Sequence, residues 1–359
     1  MSREVLIEKS AVSRKNYHKY WFIILFALGI GFLSLYFILN YVHKEEVSFT
    51  CGDDTPYGNC SENKPYYCDG GNLIRNMENC GCPEIFSEFG ENCSFDNYEN
   101  GEKVTLNYVI NGREKYLDFY FHQAILDYLE DLPRSLSYSN GENFSRRDFK
   151  LMKIDDELQR EMLMPLVVEI QNLAPWSKDL QAKIAISLVQ NIPYGNPDFV
   201  DVLEGRFTVP LSKYPYQTLS SWEGSCECKS ELLVFLLREL GFETALFYYQ
   251  DENHEAVGIK CPEKYSLEDT GFCFVETTLP APISYSKGRY QGPGGSSVLG
   301  DYSELIIISE GESLSKNLDD YSDARVLGRL VNKVDKKGYV NYFEKKKLDN
   351  LREKYGLIY

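Results

Sequence analysis

From Lys103 to Phe121 the chain reads KVTLNYVINGREKYLDFYF, two β-rich runs joined by Asn111-Gly112, and this pattern predicts a hairpin. HQAILDYLEDL follows, and then a polar, less regular stretch through Arg147. From Asp156 to Leu173 and from Lys178 to Gln190 apolar residues recur at helical spacing, until Ile192-Pro193 stops the pattern. The next helix begins after Gly224 and runs as CECKSELLVFLLREL to Gly241. It carries Leu232, Leu233, Leu236, Leu237 and Leu240 on one face, as a buried helix does. Three strand-like runs follow, TALFYYQ from Thr244, HEAVGIK from His254 and FCFVETT from Phe272. Together they predict an α+β domain, a helix packed on an antiparallel sheet. YSKGRYQGPGGSS, after Pro280, reads as a loop, and Ser303 to Ser309 as one more strand. Residues 311–359 form a Lys-rich tail, mostly helical from Asp319, for which the sequence suggests no chemistry.

One segment follows a different pattern. Trp21 to Leu39 is a run of nineteen uncharged residues, which at about 1.5 Å per residue nearly matches a hydrocarbon core of about 30 Å. It predicts one membrane-spanning helix over residues 21–42, with Tyr20, Trp21, Tyr36 and Tyr41 as interfacial anchors. Residues 1–20 carry a net charge of +3, which places them in the cytoplasm as a short tail and the rest of the chain outside, as in a single-pass signal-anchor protein. A cleaved signal peptide is the rival, but the run exceeds a usual apolar core and His43, Lys44, Glu45 and Glu46 follow it in place of small residues.

The 359 residues are 43% hydrophobic and 26% charged, with a net charge of −16, so the chain can bury a core and has little general attraction for phosphate. Nucleic acid is therefore excluded as the expected partner. Six of the ten cysteines, Cys51, Cys60, Cys68, Cys80, Cys82 and Cys93, fall within residues 51–93 among few aliphatic residues. A stretch of that kind needs disulfides for stability, and disulfides persist in an oxidising compartment. Its fifteen pairings stay open, except that Cys80 and Cys82 cannot easily join across one residue. A zinc cluster is the rival, without histidines or paired C-x-x-C knuckles to support it. CSENKPYYCDGGNLIRNMENCGCP resembles small cysteine-rich modules beside archaeal membrane anchors, which implies a stalk or adhesion unit. Asn59, Asn92 and Asn143 each begin an N-x-S sequon.

A thiol nucleophile needs a stabilised thiolate, a histidine within reach and a donor for the oxyanion. Cys226 meets these needs: it follows Gly224-Ser225 and opens the buried helix, where free N–H groups and the helix dipole favour negative charge. Gly224 would leave room for a substrate backbone. Of four histidines, His18 and His43 flank the apolar run, and His122 opens a helix as a structural residue. His254 begins a strand twenty-eight residues after Cys226 and suits a general base. Glu276 lies in the next strand run, and antiparallel pairing would bring it beside His254.

Gly224-Ser225-Cys226, His254-Glu255-Ala256-Val257 and Glu276-Thr277-Thr278, in that order, resemble the motifs of the transglutaminase-like cysteine proteins, especially their archaeal and bacterial extracytoplasmic branch. LVQNIPY and KYPYQTL upstream also match, so the resemblance covers roughly Leu180 to Pro282 within a domain of residues 100–310. It implies a papain-like core at 180–282, with Cys226 as nucleophile, His254 as base and Glu276 as its orienting partner. The implied reaction is acyl transfer from a peptide or carboxamide at the cell surface, to water more than to an amine, with no cofactor and no metal. Two positions depart from the family: Cys228 stands where Asp is commoner, and Glu276 replaces the usual Asp.

Blander readings accompany these. Cys226 could be half of a disulfide, and Cys228 a buried free thiol or a partner of Cys261 or Cys273, although the latter two are expected to staple a loop together. Cys226, Cys228 and His254 make an incomplete metal set. Tyr216 and Trp222 could line the acyl site, donate to an oxyanion or simply pack. The alternative for the whole domain is a catalytically inactive, cell-surface binding or structural module on the same fold.

Overall fold

A computed structural model describes residues 49–86, 88–89, 92–93, 101–134, 145–195, 199–202, 207–210, 212–292 and 294–357, together with Trp21, Leu25 and residues 28–31. The amino-terminal hairpin pairs Tyr66–Asp69 (β1) with Asn72–Arg75 (β2) and leads into a one-turn helix, Met77–Cys80 (α1). Glu88–Phe89 (β3) and Asn92–Cys93 (β4) form a short ladder. Cys51–Cys68, Cys60–Cys80 and Cys82–Cys93 are the three disulfides of this stretch. The stretch does not stand apart: Thr50–Tyr359 is one compact unit. Gln181 Nε2 donates to Gly52 O at 2.7 Å and Leu73 N to Asn172 Oδ1 at 2.8 Å, tying the disulfide-rich residues to the helices behind them.

Glu102–Ile110 (β5) and Arg113–Phe121 (β6) form the long hairpin in full register. Its turn residues Asn111 and Gly112 both have positive φ, 52° and 72°, the backbone that Asn-Gly supplies at low cost. Gln123–Asp131 (α2), Arg146–Ile154 (α3), Glu157–Leu173 (α4) and Lys178–Asn191 (α5) follow, each of the last three opened by an Asp or Ser whose side chain accepts the N3 amide. Phe199–Val202 (β7) and Phe207–Pro210 (β8) form a second hairpin, and Pro215–Ser221 (α6) leads to Cys226–Glu239 (α7).

Helix α7 is buried on every side from Cys228 to Leu237, which makes it the centre of the fold. It lies on a four-stranded antiparallel sheet of Thr244–Tyr249 (β9), His254–Lys260 (β10), Phe272–Val275 (β11) and Glu304–Ser309 (β14), in the order β11-β10-β9-β14. Arg289–Gly292 (β12) and Gly295–Val298 (β13) make a hairpin where the Gly- and Ser-rich composition suggests a loop. Asp320–Lys337 (α8) and Tyr342–Tyr355 (α9) close the chain against the long hairpin, with Gly112 N donating to Lys354 O at 2.9 Å. The described chain is thus α+β with antiparallel sheets.

The membrane-spanning helix expected before this domain is corrected. A span of about 30 Å needs about 20 consecutive helical residues. No helix among the described residues is long and apolar enough to cross a membrane. Within Trp21–Leu39 only Trp21, Leu25 and residues 28–31 are described; the rest of that run, the basic residues 1–20 and the Asn143 sequon lie outside the described residues. Single-pass anchoring and the cytoplasmic placement of the amino terminus, which were drawn from that helix, fall with it. The disulfides are compatible with an extracellular location.

The fourth disulfide, Cys261–Cys273, joins the end of β10 to β11 around a short loop. Replacing both cysteines by alanine is expected to cost about 2–3 kcal/mol in urea unfolding, the chain-entropy value for a loop of this length. A loss below about 0.5 kcal/mol would show that the two strands hold the loop without it.

Candidate active site

Strand register brings the acid and the histidine together. Val257 of β10 lies opposite Val275 of β11, so Glu276, the next residue, lies opposite Ala256 and diagonal to His254 on the same face. That face is the one with Phe247, Phe272 and Phe274, whereas Val257 and Ile259 belong to the core under α7. His254 Nε2 is 3.1 Å from Glu276 Oε2, with both side chains buried. The other carboxylate oxygen, Oε1, accepts from Thr277 N at 3.1 Å, Thr278 N at 2.8 Å and the Thr278 hydroxyl at 2.5 Å. These bonds lock the acid and leave Oε2 for the imidazole.

Cys226 sits at the first position of α7, half-buried and with a free thiol. Its Sγ is 3.9 Å from the carbonyl oxygen of Asn253, the residue before His254. With Nε2 engaged by Glu276, Nδ1 is the ring nitrogen left open on the side of Cys226; it is buried and has no hydrogen-bond partner among the described residues. Burial alone would lower the His254 pKa, but the charge of Glu276, the neighbouring Cys226 and the bond to Glu276 outweigh it and raise the value to about 10. Burial pushes the Glu276 carboxyl up, and the charge and hydrogen bond of His254, with those of Thr278, bring it below its ordinary value. Both directions describe an imidazolium held on a carboxylate.

Ser225 is the N-cap of α7, yet its hydroxyl donates to Cys228 Sγ at 3.4 Å and makes no capping bond. The first-turn N–H groups of α7 are therefore left uncapped by the Ser225 side chain. Cys228 is free but buried, and burial pushes its thiol up. Of the two free thiols, Cys226 is the accessible one.

Three residues singled out from the sequence as substrate groups make the following contacts. Tyr216 is fully buried; its hydroxyl accepts from His122 N at 2.9 Å and its ring packs edge-on against Phe121. Trp222 ends α6 in a left-handed conformation and packs on the main core. Gly224 does not make room for a substrate, because the protein fills that space itself. A Cβ there would lie 2.9 Å from Thr218 Cγ2 and 3.2 Å from Lys229 Cγ. Gly224 N donates to Pro193 O and Gly224 O accepts from Gly195 N, so the residue anchors the approach to Cys226.

Two neighbours of the site escaped sequence reasoning. The Tyr290 ring of the β12–β13 hairpin lies 4.3 Å from the His254 ring and covers it. A Gly- and Ser-rich run gave no sign of this. Lys229, one turn after Cys226, is buried with its ammonium donating to Ile192 O at 2.5 Å; burial lowers its pKa to about 7, against the opposing charges of Glu276 and Cys226.

No protein-family model matches the chain, and no curated protein matches it. The resemblance to transglutaminase-like proteins accordingly rests on the motifs from which it was drawn.

Proposed function

We propose that this protein is a thiol enzyme of the transglutaminase-like kind, which transfers an acyl group from a peptide or carboxamide through a thioester on Cys226. The observation that carries this reading is the junction of Cys226, His254 and Glu276 from three separate elements. In the proposed cycle the proton shared by Cys226 and His254 rests on the imidazole, and the Cys226 thiolate attacks the carbonyl carbon. The α7 N–H groups hold the oxyanion, and collapse breaks the C–N bond as His254 protonates the leaving amine. Water then attacks the thioester, passes its proton to His254 and releases the acid, and the proton returns to the sulfur. Glu276 supports the imidazolium in both halves. Hydrolysis is favoured over crosslinking, because water needs no second substrate site.

The test is alkylation of the purified protein by iodoacetamide, with mass spectrometry locating the label. At pH 6.5 Cys226 is expected to label at least about tenfold faster in the parent than in His254→Ala, because an imidazolium favours the reactive thiolate. Cys228 is expected to stay unlabelled while the protein is folded. Equal labelling of Cys226 in parent and variant would remove the catalytic pair and with it the enzyme reading.

A further inference from the structure

Helix α3 contributes nothing to the triad, yet it buries two lysines, Lys150 and Lys153. Buried ammonium groups need partners, and these are well supplied. Lys150 Nζ lies 2.7 Å from Glu227 Oε1, 3.0 Å from Glu231 Oε1 and 3.0 Å from Glu255 Oε2. Lys153 Nζ lies 2.6 Å from Glu231 Oε1 and 3.4 Å from Glu227 Oε1, and donates to the Ser212 hydroxyl. Two ammonium groups thus face three carboxylates, leaving one negative charge in surplus.

Glu227 is the residue after Cys226, and Glu255 is the residue after His254. Successive side chains of a strand point to opposite faces, so His254 turns to the site while Glu255 turns into the helix layer. Among the described residues, Lys150 is the cation that touches both of these neighbours; Lys153 reaches Glu227 but not Glu255. A buried ionic cluster is not needed for stability, since apolar side chains of the same volume often serve as well or better. What it supplies is a fixed spacing between the groups it joins.

We propose that Lys150 is a positioning residue for the Cys226–His254 pair, its one ammonium holding Glu227 and Glu255 and so setting the spacing between the start of α7 and the start of β10. The proposal rests on the thiol-enzyme reading, because that spacing is the path of the proton between sulfur and imidazole. The surplus charge has its own consequence. Burial raises the Glu255 pKa to about 7, with Lys150 opposing and Glu227 and Glu231 adding to the rise. Burial would also raise Glu227, but Lys150 and Lys153 bring it down to about 2. Of these two carboxyls, Glu255 is the one that burial holds above its ordinary value.

The experiment is the iodoacetamide rate at Cys226 from pH 5 to 9 in the parent, Glu255→Leu, Lys150→Met and Lys150→Arg, with thermal unfolding followed on each. Glu255→Leu leaves two ammonium groups against two carboxylates and fills the space, so it is the variant expected to stay folded. Its labelling at pH 6.5 is expected to fall about 10- to 100-fold, the scale on which a misplacement of about 1 Å acts, with the midpoint of the pH profile displaced upward. Lys150→Met is expected to fall as far, and Lys150→Arg, which restores the cation, to recover to within about threefold of the parent. Where leucine is not accommodated, Glu255→Gln gives the same readout at conserved size. A folded Glu255 variant that labels at the parent rate with the parent pH profile would overturn the proposal. Failure of the enzyme reading looks different, since the parent then labels no faster than His254→Ala.

Discussion

Cys226→Ala protein is expected to keep the parent fold and to lose release of ammonia or amine from any peptide or carboxamide that the parent cleaves, by at least about 10³-fold. Cys226 is half-buried at a helix start, so deleting one sulfur opens little cavity, and the change in unfolding free energy is expected to stay below about 1 kcal/mol. Cys228→Ala is the control. It removes a buried thiol that accepts from the Ser225 hydroxyl, and is expected to lower stability while leaving turnover within about threefold. Glutamine-containing peptides and isopeptides, assayed for ammonia and amine release, cover both kinds of leaving group. Turnover that survives in Cys226→Ala would assign the chemistry to another group.

Glu276→Gln is expected to be the most destabilising single change in the site, costing about 3–5 kcal/mol, because it leaves a buried imidazolium without its anion. The loss depends on pH in a direction fixed by the two shifts. The folded pKa of His254 is raised from 6.5 to about 10, so its contribution is fully present below about pH 6.5 and is lost as pH rises toward 10. The Glu276 value is lowered from 4.5, so its contribution is present above about pH 4.5 and is lost as pH falls below it. The gap between parent and variant in urea unfolding is therefore expected to be widest between about pH 4.5 and 6.5, and smaller at pH 9.5. A gap that does not narrow between pH 6 and 9.5 would show that no ion pair forms.

Much of the site could be read in the chain because the interactions behind it are local. Asn111-Gly112 supplies positive φ at low cost, so the long hairpin is written in two residues. The leucine face between Cys226 and Gly241 names a buried helix, and a helix start is where backbone N–H groups are free. The alternation of β10 and β11, once they are neighbours, puts Glu276 diagonal to His254. At Trp21–Leu39 length and apolarity state what a run could do in a bilayer, whereas no helix among the described residues is long and apolar enough to cross one.

RRDFKLMKI in α3 has the composition of an exposed segment, and no sequence rule buries its lysines; only the three carboxylates brought by α7 and β10 do so. Tyr290 meets His254 because the chain returns across the sheet after about thirty-five residues, a contact without local periodicity. Disulfide pairing among six cysteines is likewise a matter of which loops meet in space. By itself the sequence determined the long hairpin, the central helix, the strands of the four-stranded sheet and the three candidate residues, because these follow from backbone preference and from the period of burial. The tertiary structure decided the disulfide partners, the committed surroundings of Gly224 and Tyr216, the cover over His254 and the ionic cluster behind it, because each needs residues distant in the chain to close on one another.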